Sequence, residues 1–375
     1  MDTVNGPIEI HRIVWWSKTT GRDETIERLI GLMAGTVSVG VRQMCCRVGI
    51  TQMGFSKAAE HLEHLAQVRI SKERLRQVVE REGGQVQELQ KKGLVPAAFS
   101  PRDCHVGAGG PTRIYVGIDG VMVPMVTQKE KAKRRMGRKG RKKAGTRRYR
   151  MYRGADNGYK EFKIATLYEQ TNTHRQVVAT GGNHQVLGRL LRREAGRLQL
   201  DRVGEKLGLA DGAGWIDTQY AGQLPMLDAR ILDFYHFSEH VHAASQGCFG
   251  LGSELGRAFS AEILHGAKHA GPAVVLARLV EERGRHRSPG KRKALEGLIG
   301  YLTPRLGMCE YPLYLQRGWD IGSGPTEAMC KVLTYRLKGP GMRWDRPGAE
   351  AIMALLILQE SNTWKAYWDL QKQAG

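Results

Sequence analysis

No apolar run in this chain reaches the roughly 20 residues that a membrane-spanning helix needs. The longest, Ala351 to Leu358, is followed at once by Gln359 and Glu360, so no membrane partner is expected. Cysteine is sparse: six residues, with Cys45 and Cys46 adjacent and no Cys-x-x-Cys anywhere, which argues against a disulfide framework and a zinc ribbon. The opening residues, from Asp2 on, show neither a basic n-region nor an apolar h-region, so a cytoplasmic, reducing compartment is expected. Acid is the other shortage. The 375 residues carry 37 Asp and Glu against 58 Lys and Arg, a formal charge of +21. Apolar residues, at 41%, suffice for a substantial core, which excludes wholesale disorder, and the length suggests two or three domains.

A sequence pI near 9.9 is the electrostatic footprint of a protein that works against phosphate. The charge is also clustered. Residues 129–150 hold thirteen Lys and Arg and one acid, Glu130, a net +12. Glycines at 137, 140 and 145 and the near absence of large apolar side chains predict a solvated loop that orders on meeting an anion. Arg134, Arg135, Arg138, Lys139, Arg141, Lys142, Lys143, Arg147 and Arg148 are its candidate phosphate contacts. Such contacts make affinity fall with salt and carry no sequence information.

Residues 1–110 read as a helical DNA-binding region. Phe55, Ala58, Ala59, Leu62 and Leu65 recur at helical spacing, and Leu75, Val78 and Val79 do so after Ser71, a suitable N-cap. Gly83-Gly84 is expected to end the second helix. The pair, over 55–83, is compatible with a helix-turn-helix whose second helix offers Lys72, Arg74, Arg76, Gln77 and Arg81 to a major groove. Many helical hairpins have basic faces, so DNA reading and a plain solvated face stand side by side here.

From residue 111 the pattern changes. Arg113 to Met125, Glu161 to Tyr168 and Arg175 to Thr180 are predicted strands, and a polar helix follows from His184 to Leu198. Short apolar stretches at Lys206 to Ala210 and Ala229 to Leu232 end at Asp211 and Asp233. This order predicts an α/β protein with a mixed sheet over 111–246. Residues 247–312 read as a helical insertion with a basic loop from Arg283 to Lys293. The last part, 313–375, carries a Gly-Ser-Gly-Pro turn at 322–325, Glu327, and an apolar helix from Ala349.

The acids carry the chemical signal. Asp119 interrupts an apolar strand, where an unpaired carboxylate costs several kcal/mol unless it meets a cation or a metal. Asp211 and Asp233 follow strands at the carboxyl ends, where open α/β sheets place their sites. Glu327 follows a proline that sets the first turn of a helix. Taken singly, any one of these acids reads more readily as a cap or a salt-bridge partner than as part of a site. Carboxylates converging on one point imply Mg²⁺ or Mn²⁺, and two such ions about 4 Å apart suit an in-line phosphoryl displacement.

The strand VGIDGVMVP, the block ADGAGWI with ILDFYHFSEHVHAA, and the tail GSGPTEAMCKVLTYRLKGPGMRW resemble bacterial insertion-sequence transposases of the ISKra type. Those are DDE transposases of the Mutator-like group. The similarity runs from about residue 50 to about 360 and is most specific over 209–244 and 318–344. The resemblance implies a ribonuclease H-like core preceded by a helix-turn-helix region, with Asp119, Asp211 and Glu327 as the triad that holds the metal ions. Asp233-Phe234-Tyr235-His236 fits the D-x-x-H signature found after the second acid, giving His236 a catalytic role and Asp233 a supporting one. The intervals, 92 residues from Asp119 to Asp211 and 116 from Asp211 to Glu327, agree, the second being long enough for a helical insertion.

The expected activity is cleavage of double-stranded DNA at the terminal inverted repeats, followed by attack of the freed 3′-hydroxyl on target DNA. Chemistry at two ends implies a homodimer or higher oligomer, in the cytoplasm of a bacterium and associated with its nucleoid. A zinc pair of His236 and His240 is a weaker reading, because Phe237 stands where a metalloprotease helix needs Glu. Lys331, Arg336 and Lys338 are expected to grip the DNA end near the cut, with solvated surface as their alternative. Two other classes remain: a domesticated DNA-binding protein that no longer cuts, and a structure-selective nuclease on the same core.

Overall fold

A five-stranded mixed sheet forms where the β-branched runs lie. The computed structural model describes residues 2–9, 16–19, 21–22, 37–106, 110–127, 129, 132, 135–136, 159–339 and 342–373. The strands are β1 (Arg113–Pro124), β2 (Tyr159–Glu169), β3 (Arg175–Thr180), β4 (Glu205–Ala210) and β5 (Ala229–Leu232), in the order β3-β2-β1-β4-β5. β2 runs antiparallel to both β1 and β3, while β1, β4 and β5 are mutually parallel. Two-residue ladders pair Asp2–Thr3 with Gly6–Pro7 and Trp16–Ser17 with Gly21–Arg22 near the start of the chain.

Strand alternation decides which side each residue serves. Ile114, Val116 and Ile118 point to the face covered by α4 (His184–Arg197) and α5 (Gly214–Gln223). Tyr115, Asp119, Val121 and Val123 point to the other. That second face is covered at one end by an all-helical block: α6 (Phe234–Phe249), α7 (Glu254–His269), α8 (Pro272–Arg285), α9 (Pro289–Leu302) and α10 (Tyr311–Gln316). At the other end lie α11 (Gly324–Lys338), α12 (Arg346–Glu360) and α13 (Trp364–Gln373).

The N-terminal helices are α1 (Val39–Thr51), α2 (Phe55–Ala66) and α3 (Lys72–Lys92), and they share one apolar core with β1, β2 and α11–α13. Ser71 caps α3 as expected, its hydroxyl accepting from the Arg74 N–H at 3.2 Å. The Gly83-Gly84 pair, however, does not end that helix. Gly83 is where α3 crosses α12: a Cβ there would stand 2.8 Å from the Ala351 Cβ, so the glycine serves close helix packing and α3 runs on to Gly93. A buried pair fixes the cluster, Arg42 Nη1 to Glu82 Oε2 at 2.9 Å, with the Tyr367 hydroxyl donating to Glu82 Oε1 at 2.7 Å.

The loop expected over 283–293 is also shorter than its composition suggests. Arg283 and Arg285 are helical and ion-paired to Glu296 and Glu281 at 2.6 Å each, and Pro289 already opens α9. All six cysteines are buried free thiols. Among the described residues no helix is long and apolar enough to cross a membrane.

Candidate active site

β1 and β4 bring the first two acids together. Their parallel register ends with Gly117 opposite Leu209. Two residues further along each chain stand Asp119, still within β1, and Asp211, just past the end of β4 and near enough for its charge to act on Asp119. Asp119 Oδ1 accepts the Gly120 N–H at 2.6 Å, and the Cys330 thiol donates to the same carboxylate. Burial raises the Asp119 carboxyl above the ordinary range. The Cys330 and Gly120 hydrogen bonds pull it down, and the charge of Asp211 pushes it up again.

Asp211 sits in a turn held from the helical block. Its Oδ1 accepts the Ala213 N–H at 2.8 Å, and its carbonyl accepts the Tyr301 hydroxyl at 3.1 Å. Gly212 adopts φ +78°, a conformation that suits glycine, and its carbonyl accepts Arg305 Nε at 3.0 Å. Arg305 lies 4.4 Å over the Tyr301 ring, whose other contact is the His240 imidazole at 3.6 Å. Burial lowers the His240 proton affinity, and Arg305 lowers it further.

Glu327 comes from the first turn of α11. That helix lies close on the sheet because Gly117 has no side chain: a Cβ there would stand 2.8 Å from the Thr326 Cβ. Thr326 Oγ1 and Thr166 Oγ1 share a buried hydrogen bond of 2.6 Å that fixes the helix along its axis. At about 100° per residue, Lys331, Thr334 and Lys338 fall within about 40° of Glu327, whereas Arg336 falls about 180° away. Cys330 packs between Asp119 and Glu327; burial and those two carboxylates push its thiol well up, so it remains a proton donor.

Asp119, Glu327, His236, Lys331, Tyr335 and Lys338 line one open cleft of about 570 Å³. His236 is half-exposed at its rim, Nδ1 lying 3.4 Å from Glu239 Oε2. Asp233 joins the two helices that carry this chemistry. Fully buried, it caps α6 by accepting the N–H groups of Tyr235 (2.7 Å) and His236 (2.9 Å) on Oδ1, while Oδ2 accepts the Ser323 N–H. The Phe234 N–H reaches the Ile321 carbonyl at 2.8 Å beside it. One carboxylate thus sets His236 and the turn before Glu327 relative to each other.

The remaining cations are placed as follows. Lys331 and Lys338 are exposed on the cleft, and Lys72 and Arg81 are exposed on α3, where Arg74 is half-buried. Arg76 is engaged on its own helix, at 2.5 Å from both Glu73 and Glu80. Of the basic loop, Arg135 is exposed; Arg134, Arg138, Lys139, Arg141, Lys142, Lys143, Arg147 and Arg148 lie outside the described residues.

Arg336 is a correction. It is buried, donates to the carbonyls of Gly49 and Met53 at 3.2 Å each, and lies about 5 Å over the Phe55 and Trp344 rings. Burial pulls its proton affinity down to about 10. It ties α11 to the α1–α2 turn and faces away from the cleft.

Sequence reasoning missed Cys330, Tyr301, Arg305 and Tyr335. Periodicity from Glu327 was the signal for Tyr335 and Cys330; for Tyr301 and Arg305, distant in sequence from Asp211, there was none. Among the described residues no group of three or more His, Cys, Asp and Glu side chains is gathered closely enough to hold a metal ion. No protein-family model matches the chain, and no curated protein matches it.

Proposed function

We propose that the chain is a DDE transposase that cleaves double-stranded DNA at the ends of an element and transfers the 3′-hydroxyl into target DNA. The observation that carries this reading is that Asp119 and Glu327 line one cleft with His236, while Asp211 follows the end of β4, the strand paired with β1, and its charge acts on Asp119. The strand order β3-β2-β1-β4-β5, with only β2 reversed, supports a ribonuclease H-like core, and the helical block between β5 and α11 supports the inserted domain that the spacing implied. The α2–α3 hairpin and its basic residues support the helix-turn-helix reading in the same way.

Asp119, Asp211 and Glu327 are the residues that would hold Mg²⁺ or Mn²⁺, two ions on this reading. All three are oxygen donors of the kind these cations favour, although they are not gathered into one ligand group, and the raised proton affinity of Asp119 near Asp211 is what a cation would relieve. When bound, such ions neutralise phosphate charge and acidify water. The chain's own residues do the rest. His236 hydrogen-bonds the scissile phosphate, Lys331 and Lys338 hold the flanking phosphates, and Asp233 keeps both helices in place. Partner DNA, the oligomer and a cytoplasmic, nucleoid-associated location belong to the same proposal.

One observation favours the non-cleaving DNA-binding alternative, the lack of a preassembled three-ligand group among the described residues. The test is incubation of labelled DNA carrying the sequences that flank the gene with protein and Mg²⁺. Nicking and joining to a second DNA support the transposase, hydrolysis without joining supports a nuclease, and binding alone supports the alternative.

A further inference from the structure

Tyr335 lies on α11 between Lys331 and Lys338 and lines the same cleft as Asp119 and Glu327. Its side chain is 65% exposed. Among the described residues the ring stacks on nothing and the hydroxyl bonds to nothing. Of the other aromatics around the site, Tyr301 is committed to His240 and Arg305, and Tyr235, though exposed, meets Phe234 edge-on and does not line the cleft. An uncommitted ring flanked by two lysines asks for a ligand with both a flat π-face and negative charge, and a nucleotide has both. Within a closed duplex each base face is covered by its neighbours, so a ring on the cleft wall reaches a base only where pairing has opened.

We infer that Tyr335 is a stacking platform for an unpaired base beside the scissile phosphate, so that the cleft takes DNA with opened terminal pairs in preference to closed duplex. Lys331 and Lys338, exposed on the same helical face, hold the phosphates on either side of that base. Fixed on a helix locked to the sheet through Thr326 and Thr166, the ring needs no rearrangement to receive it. The inference rests on the reading of the cleft as a DNA-cleaving site, but its test reads binding.

Two synthetic duplexes of one sequence, one with closed ends and one with mismatched terminal pairs carrying 2-aminopurine, are titrated with protein in Ca²⁺ in place of Mg²⁺. The wild type is expected to prefer the forked duplex and to change the 2-aminopurine fluorescence. Tyr335→Ala lowers forked-duplex affinity by roughly 5- to 150-fold and leaves closed duplex unchanged. Tyr335→Phe, which keeps the ring, retains the preference, and Tyr335→Leu, apolar without a π-face, loses it. Equal binding of both duplexes by the wild type overturns the inference, as does a fork preference that survives in Tyr335→Ala. A loss accompanied by dissociation of an oligomer in light scattering also overturns it, by assigning the ring to a subunit contact. Fork preference that depends on Tyr335 in a protein that never cuts supports the inference and ends the transposase reading. Cutting with a fork preference indifferent to Tyr335 does the reverse.

Discussion

Replacement of Asp233 by Asn changes one atom at the joint between α6 and the turn before α11. Asn keeps an oxygen for the N–H groups of Tyr235 and His236, so the helix cap survives. It sets an amide NH₂ against the Ser323 N–H, where Oδ2 accepts in the wild type. The loss of one hydrogen bond to a charged group is about 1.5–3 kcal/mol, and the buried Ser323 N–H left unpaired adds on the order of 1–3 kcal/mol. Asp233→Asn should therefore destabilise the chain by about 2.5–6 kcal/mol. Asp233→Ala should cost about 1 kcal/mol more by removing the cap as well. An ordinary cap provides the control: Asn183 accepts the Val186 N–H at 3.0 Å, and Asn183→Ala should cost about 1 kcal/mol. Urea denaturation with an unchanged m-value measures all three. A cost for Asp233→Asn no larger than the cap control would show that Oδ2 does not join the two helices.

The packing of α3 on α12 gives a paired test. Gly83→Ala forces a methyl against the Ala351 backbone and should cost about 1–3 kcal/mol or more, whereas Gly84→Ala, which meets nothing within 4 Å, should gain up to about 1 kcal/mol, both read by chemical denaturation. Arg336→Met should lower stability without changing the salt dependence of DNA binding, while Lys331→Gln and Lys338→Gln should each flatten the slope of log K against log salt by about 0.9. Because burial and Asp211 raise the Asp119 carboxyl in the folded state, its ionisation opposes folding; the fold is most favoured below the ordinary Asp range and loses that contribution as pH rises through the raised value. Asp119→Asn should thus be more stable than the wild type at neutral pH, with the difference closing as pH falls toward about 4. A constant difference across that range would refute it.

What was legible in the chain followed from periodicity and caps. β3 and β5 form over Arg175–Thr180 and Ala229–Leu232, as their β-branched and apolar runs predicted, and Ser71 caps α3. What was not legible depended on partners distant in sequence. Gly83 reads locally as a helix stop, and only α12 makes it a packing residue. Arg336 reads as one more surface cation until its angle from Glu327 is worked out and the Gly49 and Met53 carbonyls are seen to receive it. The region 283–293 reads as a loop from its charges, because the pairing of Arg283 with Glu296 depends on how α8 meets α9. Within the site, Asp119 was visible as an interruption of an apolar strand, Asp211 and Asp233 as acids after strand ends, and Glu327 as the acid after a Gly-Ser-Gly-Pro turn. The contacts that hold them were not, since Cys330, Tyr301, Arg305 and Ser323 lie 90 to 211 residues from the acids they serve.

Strand cleavage by Asp119→Asn, Asp211→Asn and Glu327→Gln, each assayed in Mg²⁺ beside the wild type on DNA carrying the flanking sequences, tests the central claim most directly. Each variant should lose cleavage and joining while binding the same DNA with unchanged affinity. Cleavage retained by any one of them would take that residue out of the active site, and cleavage retained by all three would place the chemistry elsewhere on the chain.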